Sequence, residues 1–123
     1  MVSVGDLARH VTPFKPDGNI FEAAAVMKNE NVTIVPVCDE NDRLLGIVTD
    51  RAIAVSGIAD KQAGSATIQE VMEKPSMVLS PEMKPEEAAA LMNESRLTEV
   101  VVADVDRFIG IVSYFHIKEK TNA

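Results

Sequence analysis

The sequence is poor in the residues on which several classes of protein depend. It has a single cysteine, Cys38, so no disulfide can form within the chain and we expect a reducing compartment. Its four Phe, one Tyr and no Trp are too few for a surface that stacks unpaired bases. No run of about 18 apolar residues predicts a membrane span, and no apolar leader follows Met1. We therefore expect a cytoplasmic protein without a membrane partner.

An excess of positive charge is also missing. The formal net charge is −7, from 12 Lys and Arg against 19 Asp and Glu, and the basic residues are scattered. A nucleic-acid binder needs a basic surface that displaces counterions from phosphates. The sequence therefore predicts no nucleic-acid partner, although a few donors in a small cleft can still bind an anion.

No pattern typical of catalysis or of a metal site is found. The sequence has neither a Gly-rich phosphate loop nor a Gly-x-Ser-x-Gly turn. His10 and His116 lack a metal-ligand spacing. The acidic turn at 39–42 lacks the glycine and the distal glutamate of a calcium loop. We therefore predict a protein that is not an enzyme and that binds no metal.

What the sequence does contain is an internal repeat, which is the first feature to seek in any chain. Residues 22–39 align without a gap on residues 87–104, and nine of these eighteen positions are identical. Omission of one residue in the next turn aligns 43–49 with 107–113. We predict a first repeat at 1–57, a linker at 58–66 and a second repeat at 67–123, which together form one structural module.

Each repeat has the pattern strand–helix–strand–strand–helix. Asn19 and Glu22 form a capping-box pattern before one helix, and Pro85 suits the first position of the equivalent helix. Gly46 and Gly110 fall inside strands, where glycine marks a bulge or the close approach of another backbone. One repeat has too little core to stand alone, so we predict an α+β fold of two β-α-β-β-α repeats packed sheet to sheet about a pseudo-two-fold axis.

Thr49 and Ser113 stand at equivalent positions, where the last strand of each repeat gives way to a helix. A hydroxyl at a helix N-terminus lies beside unpaired amides and the positive end of the dipole, which favours an anion such as phosphate. The spacing alone fits equally a hydroxyl that only caps its own helix. Arg51, in the first turn of the same helix as Thr49, suits a bidentate phosphate contact or an ion pair at the surface.

These features together resemble the cystathionine β-synthase (CBS) domain family. The resemblance rests on two copies of an Ala-Ala-x-x-Met helix, on the run 34–37, and on Gly-Ile-Val-Thr at 46–49 with Gly-Ile-Val-Ser at 110–113. It covers roughly residues 4–120. It implies a pair of repeats whose clefts bind adenosine-type ligands in many members, and a homodimer formed through helices.

The resemblance also implies roles for particular residues. In the family pattern the base lies against apolar residues of the strand before the hairpin turn, and the helix-opening hydroxyl contacts phosphate. Carried over to this sequence, the base-lining residues are Val35 and Pro36 in one site and Val100 and Val101 in the other. The phosphate hydroxyls are Thr49 and Ser113.

The sequence departs from the family pattern at the residue that binds the ribose. An Asp is expected three residues after the hydroxyl, but Ala52 and His116 stand there. A lost carboxylate removes charge-assisted bonds worth roughly 1.5–3 kcal/mol each. His116 can still accept one hydroxyl when neutral, or meet a phosphate when protonated.

Two hypotheses follow from the sequence. In the first, the protein is a regulatory module that binds AMP, ADP, ATP, S-adenosylmethionine, NAD or a related anionic metabolite near Ser113, His116 or Thr49, and that signals to an unknown protein partner. In the second, the clefts bind no ligand and the protein is a dimeric interaction scaffold. The absence of both ribose acids favours the second hypothesis.

Overall fold

The computed structural model of the protein describes residues 1–55 and 66–121. Within these ranges the chain forms helices and two small sheets, which confirms the predicted α+β class. The helices are α1 (Val4–Leu7), α2 (Ile20–Glu30), α3 (Asp50–Ala52), α4 (Ile68–Val71), α5 (Pro85–Glu94) and α6 (Tyr114–Thr121). The strands are β1 (Ile34–Cys38), β2 (Leu44–Thr49), β3 (Val78–Leu79), β4 (Glu99–Asp104) and β5 (Arg107–Ser113).

The chain divides into two compact units that do not follow the repeats in sequence. One, the first-hairpin unit, is Val11–Lys74, and the other, the second-hairpin unit, is Met1–His10 with Pro75–Ala123. Each unit thus includes the opening segment of the other repeat. The repeat boundaries at 57 and 67 stay a prediction, and the predicted linker at 58–66 lies outside the described residues except for Ala66.

In the first-hairpin unit, β1 and β2 form an antiparallel hairpin. Val35 lies opposite Val48 and Val37 lies opposite Gly46, with a shift of register after Val37. Every residue of β1 is buried. The strand predicted before α2 is only a parallel bridge from Phe14 to Val37 in the described part of this unit. The prolines on either side of Phe14, at positions 13 and 16, provide no amide donors, which explains why no longer strand forms.

In the second-hairpin unit, the sheet has three strands in the order β3-β4-β5. The β4–β5 hairpin is antiparallel with Val100 opposite Val112, and β3 runs parallel to β4. The helix-facing side of this sheet carries the core of the unit. The buried residues of this core are Val4, Leu79, Ala88, Ala89, Met92, Val100, Val102, Val112 and Ile117.

The two longest helices, α2 and α5, start where the sequence predicts. The side-chain oxygen of Asn19 accepts a hydrogen bond from the Phe21 amide at 2.7 Å, which confirms the cap of α2. Pro85 occupies the first turn of α5, and two glutamates follow it there. A helix N-terminus leaves amides unpaired. The Asn19 side chain accepts a bond from one of them, and Pro85 has no amide to leave unpaired.

Both strand glycines lie against a backbone, as predicted. The amide and carbonyl of Ile47 pair with those of Glu73 at 2.8 and 2.9 Å, and Ile111 pairs likewise with Arg9 at 2.8 Å in both directions. A Cβ at Gly46 would lie 2.8 Å from the Glu73 carbonyl oxygen, and one at Gly110 only 2.7 Å from that of Arg9. A side chain at either position would therefore push the paired segment away.

Candidate ligand-binding residues

Thr49 caps α3, as the sequence predicts. It is the last residue of β2, opposite Ile34 at the start of β1, and its backbone is extended. Its Oγ1 accepts a hydrogen bond from the Ala52 amide at 3.0 Å. The two preceding amides donate elsewhere, that of Asp50 to the Thr33 carbonyl at 2.9 Å and that of Arg51 to the Asp50 side chain at 2.8 Å. The first turn of α3 is thus satisfied by oxygens of the chain itself.

The Thr49 hydroxyl has a further neighbour that the sequence did not predict. It donates to the carboxylate of Glu73, with 3.5 Å between the two oxygens. Glu73 is exposed, and its backbone pairing with Ile47 fixes it beside β2. The repeat alignment gives no signal for this contact, because the two side chains are 24 positions apart.

Ser113 holds the equivalent place in the second-hairpin unit. It is the last residue of β5, opposite Glu99, and α6 begins directly after it. The Tyr114 amide donates to the Thr98 carbonyl at 2.8 Å, which repeats the contact of Asp50 with Thr33. His116 follows in the first turn, with its Nδ1 3.5 Å from a carboxylate oxygen of Glu119 and 43% of its side chain exposed. His116 is therefore accessible beside Ser113.

The four residues predicted to line a base are all buried. Val100 faces the helices, since it belongs to the core of the second-hairpin unit. Side chains alternate along a strand, so Val101 points to the opposite face of the sheet. Val101 is buried as well, with 1% of its surface exposed, so other residues cover this face too. Val35 and Pro36 occupy the equivalent positions in β1.

The remaining residues considered in the sequence have ordinary surroundings. Arg51 is exposed, and the His10 ring lies 5.8 Å from that of Phe108. Cys38 is buried, as predicted, and its burial, followed by the charges of Asp42 and Asp39, raises the pKa of the thiol to about 11. A thiol with that pKa is protonated and unreactive at neutral pH.

The acidic turn between β1 and β2 uses its own carboxylate as a structural acceptor. One oxygen of Asp39 accepts the amides of Asn41 and Arg43 at 2.8 and 2.9 Å. The bond from the Arg43 amide is the main cause that lowers the pKa of Asp39. This is the chemistry of an Asx turn.

Two open clefts of the described chain are lined by residues other than those predicted for the site. One of about 400 Å³ lies beside Lys15, Cys38 and Leu45. Another of about 280 Å³ lies between α5 and α6, beside Ala89 and Tyr114. Residues 1–55 and 66–121 contain no group of three His, Cys, Asp or Glu side chains able to hold a metal ion. The same ranges contain no helix long and apolar enough to cross a membrane.

Comparison with known proteins identifies the family. The family model for the CBS domain matches residues 4–56 and again residues 68–121. The CBS domain-containing protein YhcV of Bacillus subtilis is 33% identical over 114 residues, which are 92% of this chain and 81% of that protein. The chain belongs to the CBS domain family and contains two CBS domains.

Solved structures agree with this assignment. A complex of CBSX2, a CBS-pair protein from Arabidopsis thaliana, with AMP has a TM-score of 0.82 and covers 99% of this chain and 97% of its own, at 22% identity. The CBS domain pair of protein MJ0100, in complex with 5′-methylthioadenosine and S-adenosyl-L-methionine, has a TM-score of 0.76 with 99% and 97% coverage, at 26% identity. The protein thus has the fold of a CBS pair.

Proposed function

We propose that this protein is a regulatory module that senses an adenosine-type nucleotide or a related anionic metabolite and passes the signal to a partner protein in the cytoplasm. The observation that carries the proposal is the repeated strand-to-helix junction, with a hydroxyl and a buried apolar strand pair at the same end of each hairpin. Such a protein acts through a difference in ligand affinity between two states. It needs no catalytic residue.

The comparisons support the ligand class. The CBS pair of MJ0100 binds 5′-methylthioadenosine and S-adenosyl-L-methionine, and CBSX2 binds AMP. In this chain we place the ligand on two polar groups, the hydroxyl of Ser113 and the half-exposed His116 in the first turn of α6. Val101 would contact the base, and AMP, ADP, ATP, S-adenosylmethionine and NAD are the compounds to test.

The proposal is tested by thermal unfolding of the purified chain against that panel and inorganic phosphate. A compound present at a hundred times its dissociation constant adds about 2.7 kcal/mol to the free energy of unfolding, a shift of several degrees for a chain of this size. We expect a shift with one adenosine compound and none with phosphate. Ser113→Ala should reduce it, whereas Ser76→Ala, a change of the same kind at an exposed bend, should not.

A panel without any shift at millimolar concentrations would contradict the sensor proposal. The alternative is then a dimeric scaffold, which the replacement of both ribose acids by Ala52 and His116 favours. His116→Asp restores the acid of the family pattern in one repeat. If this variant binds AMP and the wild-type chain does not, the scaffold explanation stands and the lost acid is its cause.

We also propose that the module is a homodimer. The alanines of α2 and α5 that are not buried in their own unit, Ala24, Ala25 and Ala90, allow another helix to approach closely because their side chains are small. Sedimentation equilibrium at micromolar concentration should give twice the mass of the 13.3 kDa chain. A monomer at that concentration would contradict the dimer without affecting ligand binding.

A further inference from the structure

The two strand-to-helix junctions are built on the same backbone but differ in charge. In the first-hairpin unit, Glu73 exchanges two backbone hydrogen bonds with Ile47, the third residue before α3. In the second-hairpin unit, Arg9 exchanges the same two bonds with Ile111, the third residue before α6. An acid in one unit and a base in the other therefore occupy equivalent backbone positions.

The amides that would bind a phosphate beside Thr49 already have acceptors. The first three amides of α3 donate to the Thr33 carbonyl at 2.9 Å, to the Asp50 carboxylate at 2.8 Å and to the Thr49 hydroxyl at 3.0 Å. An incoming anion would have to displace oxygens that the chain supplies itself. One of these, on Asp50, is a carboxylate, whereas its counterpart in the second repeat is Tyr114.

The proton of the Thr49 hydroxyl is also directed toward an acid. It is donated to the Glu73 carboxylate, 3.5 Å away. A phosphate oxygen that accepted this proton would lie beside that carboxylate, and like charges at such distances repel each other. A phosphate monoester carries about −1.5 to −2 charges at neutral pH, so the repulsion acts on the group that Thr49 would bind.

We infer that Glu73 determines the charge of the ligand in the first-hairpin unit, because it excludes phosphate from Thr49. A compound that binds beside Thr49 is then a neutral or positively charged adenosine compound. A phosphate-bearing ligand binds only beside Ser113. This inference rests on the proposed function and narrows it from two equivalent strand-to-helix junctions to two junctions that accept ligands of different charge.

The test follows the Ala52 amide by NMR in the isotope-labelled full chain while AMP or adenosine is added. In the wild type, AMP should leave this signal in place. In Glu73→Gln, AMP should shift it in a saturable way, with an affinity at this site at least about fivefold higher than in the wild type at low salt. Adenosine carries no phosphate, so its affinity should change less than about twofold. Glu40→Gln removes the same charge at the exposed hairpin turn and should behave as the wild type.

The outcomes separate the inference from the proposed function. If AMP binds the chain but the Ala52 signal responds alike in the wild type and in Glu73→Gln, the inference is wrong and the proposed function stands. If neither compound shifts any amide in either protein, the inference is wrong, whereas the proposed function is decided by the thermal-unfolding panel with ADP, ATP, S-adenosylmethionine and NAD. Glu73→Asp keeps the charge and must exclude AMP as the wild type does, which distinguishes charge from a loss of local structure.

Discussion

The two hairpins show how a duplicated backbone can carry different chemistry. Val35 opposite Val48 in one has its counterpart in Val100 opposite Val112 in the other, and each hairpin has a register shift at the same place. The side chains on the segments that pair with the last strand of each hairpin differ instead. The residue paired with the centre of the last strand is Glu73 in the first-hairpin unit and the oppositely charged Arg9 in the second. Backbone pairing constrains the buried positions, and the exposed ones are free to diverge.

The largest effect should come from the strand glycines. Gly110→Ala places a methyl group 2.7 Å from the Arg9 carbonyl oxygen, and Gly46→Ala places one 2.8 Å from that of Glu73. We expect each change to lower the free energy of unfolding by about 2–3 kcal/mol, because a backbone rather than a flexible side chain must move. Urea denaturation measures both. Gly18→Ala, with its nearest atom at 3.1 Å, should lose less.

Equal losses at the two glycines would support the equivalence of the hairpins. If either variant were as stable as the wild type, the close backbone approach in that hairpin would be wrong.

The second prediction concerns a difference between the hairpins. Cys38 in β1 has Ala103 as its counterpart in β4. The folded chain holds the thiol proton more tightly than the unfolded chain, since its pKa is raised from 9.0 to about 11. The stability that this provides is therefore complete below pH 9 and is lost as the pH rises from 9 to 11, by about 2 kcal/mol.

Denaturation curves at several pH values measure this loss. Cys38→Ala copies the second hairpin, and its stability relative to the wild type should improve across that window. A constant difference between the two proteins from pH 8 to 11 would show that burial does not perturb the thiol.

The third prediction compares the starts of α2 and α5. Asn19 caps α2 through its side chain, whereas Lys84 precedes α5 without a side-chain cap. Asn19→Ala should lower the free energy of unfolding by about 1 kcal/mol, and Lys84→Ala should change it by only a few tenths. Thermal unfolding measures both variants. A similar loss in the two would mean that the Asn19 hydrogen bond adds no stability.

The smallest effect should be a gain, in the turn between β4 and β5. Val105 has a φ of 59°, which a β-branched residue rarely adopts, and 94% of its surface is exposed. The left-handed residue in the first turn is Asp42, a residue type that tolerates this conformation. Val105→Asn should therefore raise the free energy of unfolding by about 0.5–1 kcal/mol. Val105→Ile keeps the strain and serves as the control, and equal stability of the two variants would contradict the prediction.

Much of the fold could be predicted from the sequence, because the relevant signals are local. Three residue types mark particular local structures. Asn is typical of a helix cap, as at Asn19, Pro of the first turn of a helix, as in α5, and Gly of a close backbone approach, as at Gly46. The segment pairing of Arg9 with Ile111 was not predicted. A single bridged residue leaves no alternating pattern of apolar residues in the sequence. Which segment pairs with the edge of a strand depends on the tertiary structure.

For the candidate site, the prediction was less complete. The sequence identified Thr49 and Ser113 as equivalent capping hydroxyls, and Thr49 does cap its helix. It did not identify Glu73, because the repeat alignment compares only the two hairpins with each other. It does not show which short segment pairs with the last strand of each hairpin. The roles of Val35, Pro36, Arg51, Val101 and His116 in ligand binding stay predictions.

We infer that the two strand-to-helix junctions, which have the same backbone hydrogen bonds, accept ligands of different charge. Isothermal titration of the wild-type chain with AMP tests it most directly, because it counts the molecules bound. We expect one AMP per chain, with adenosine able to occupy a further site. Two AMP molecules bound per chain with equal affinity would contradict the account.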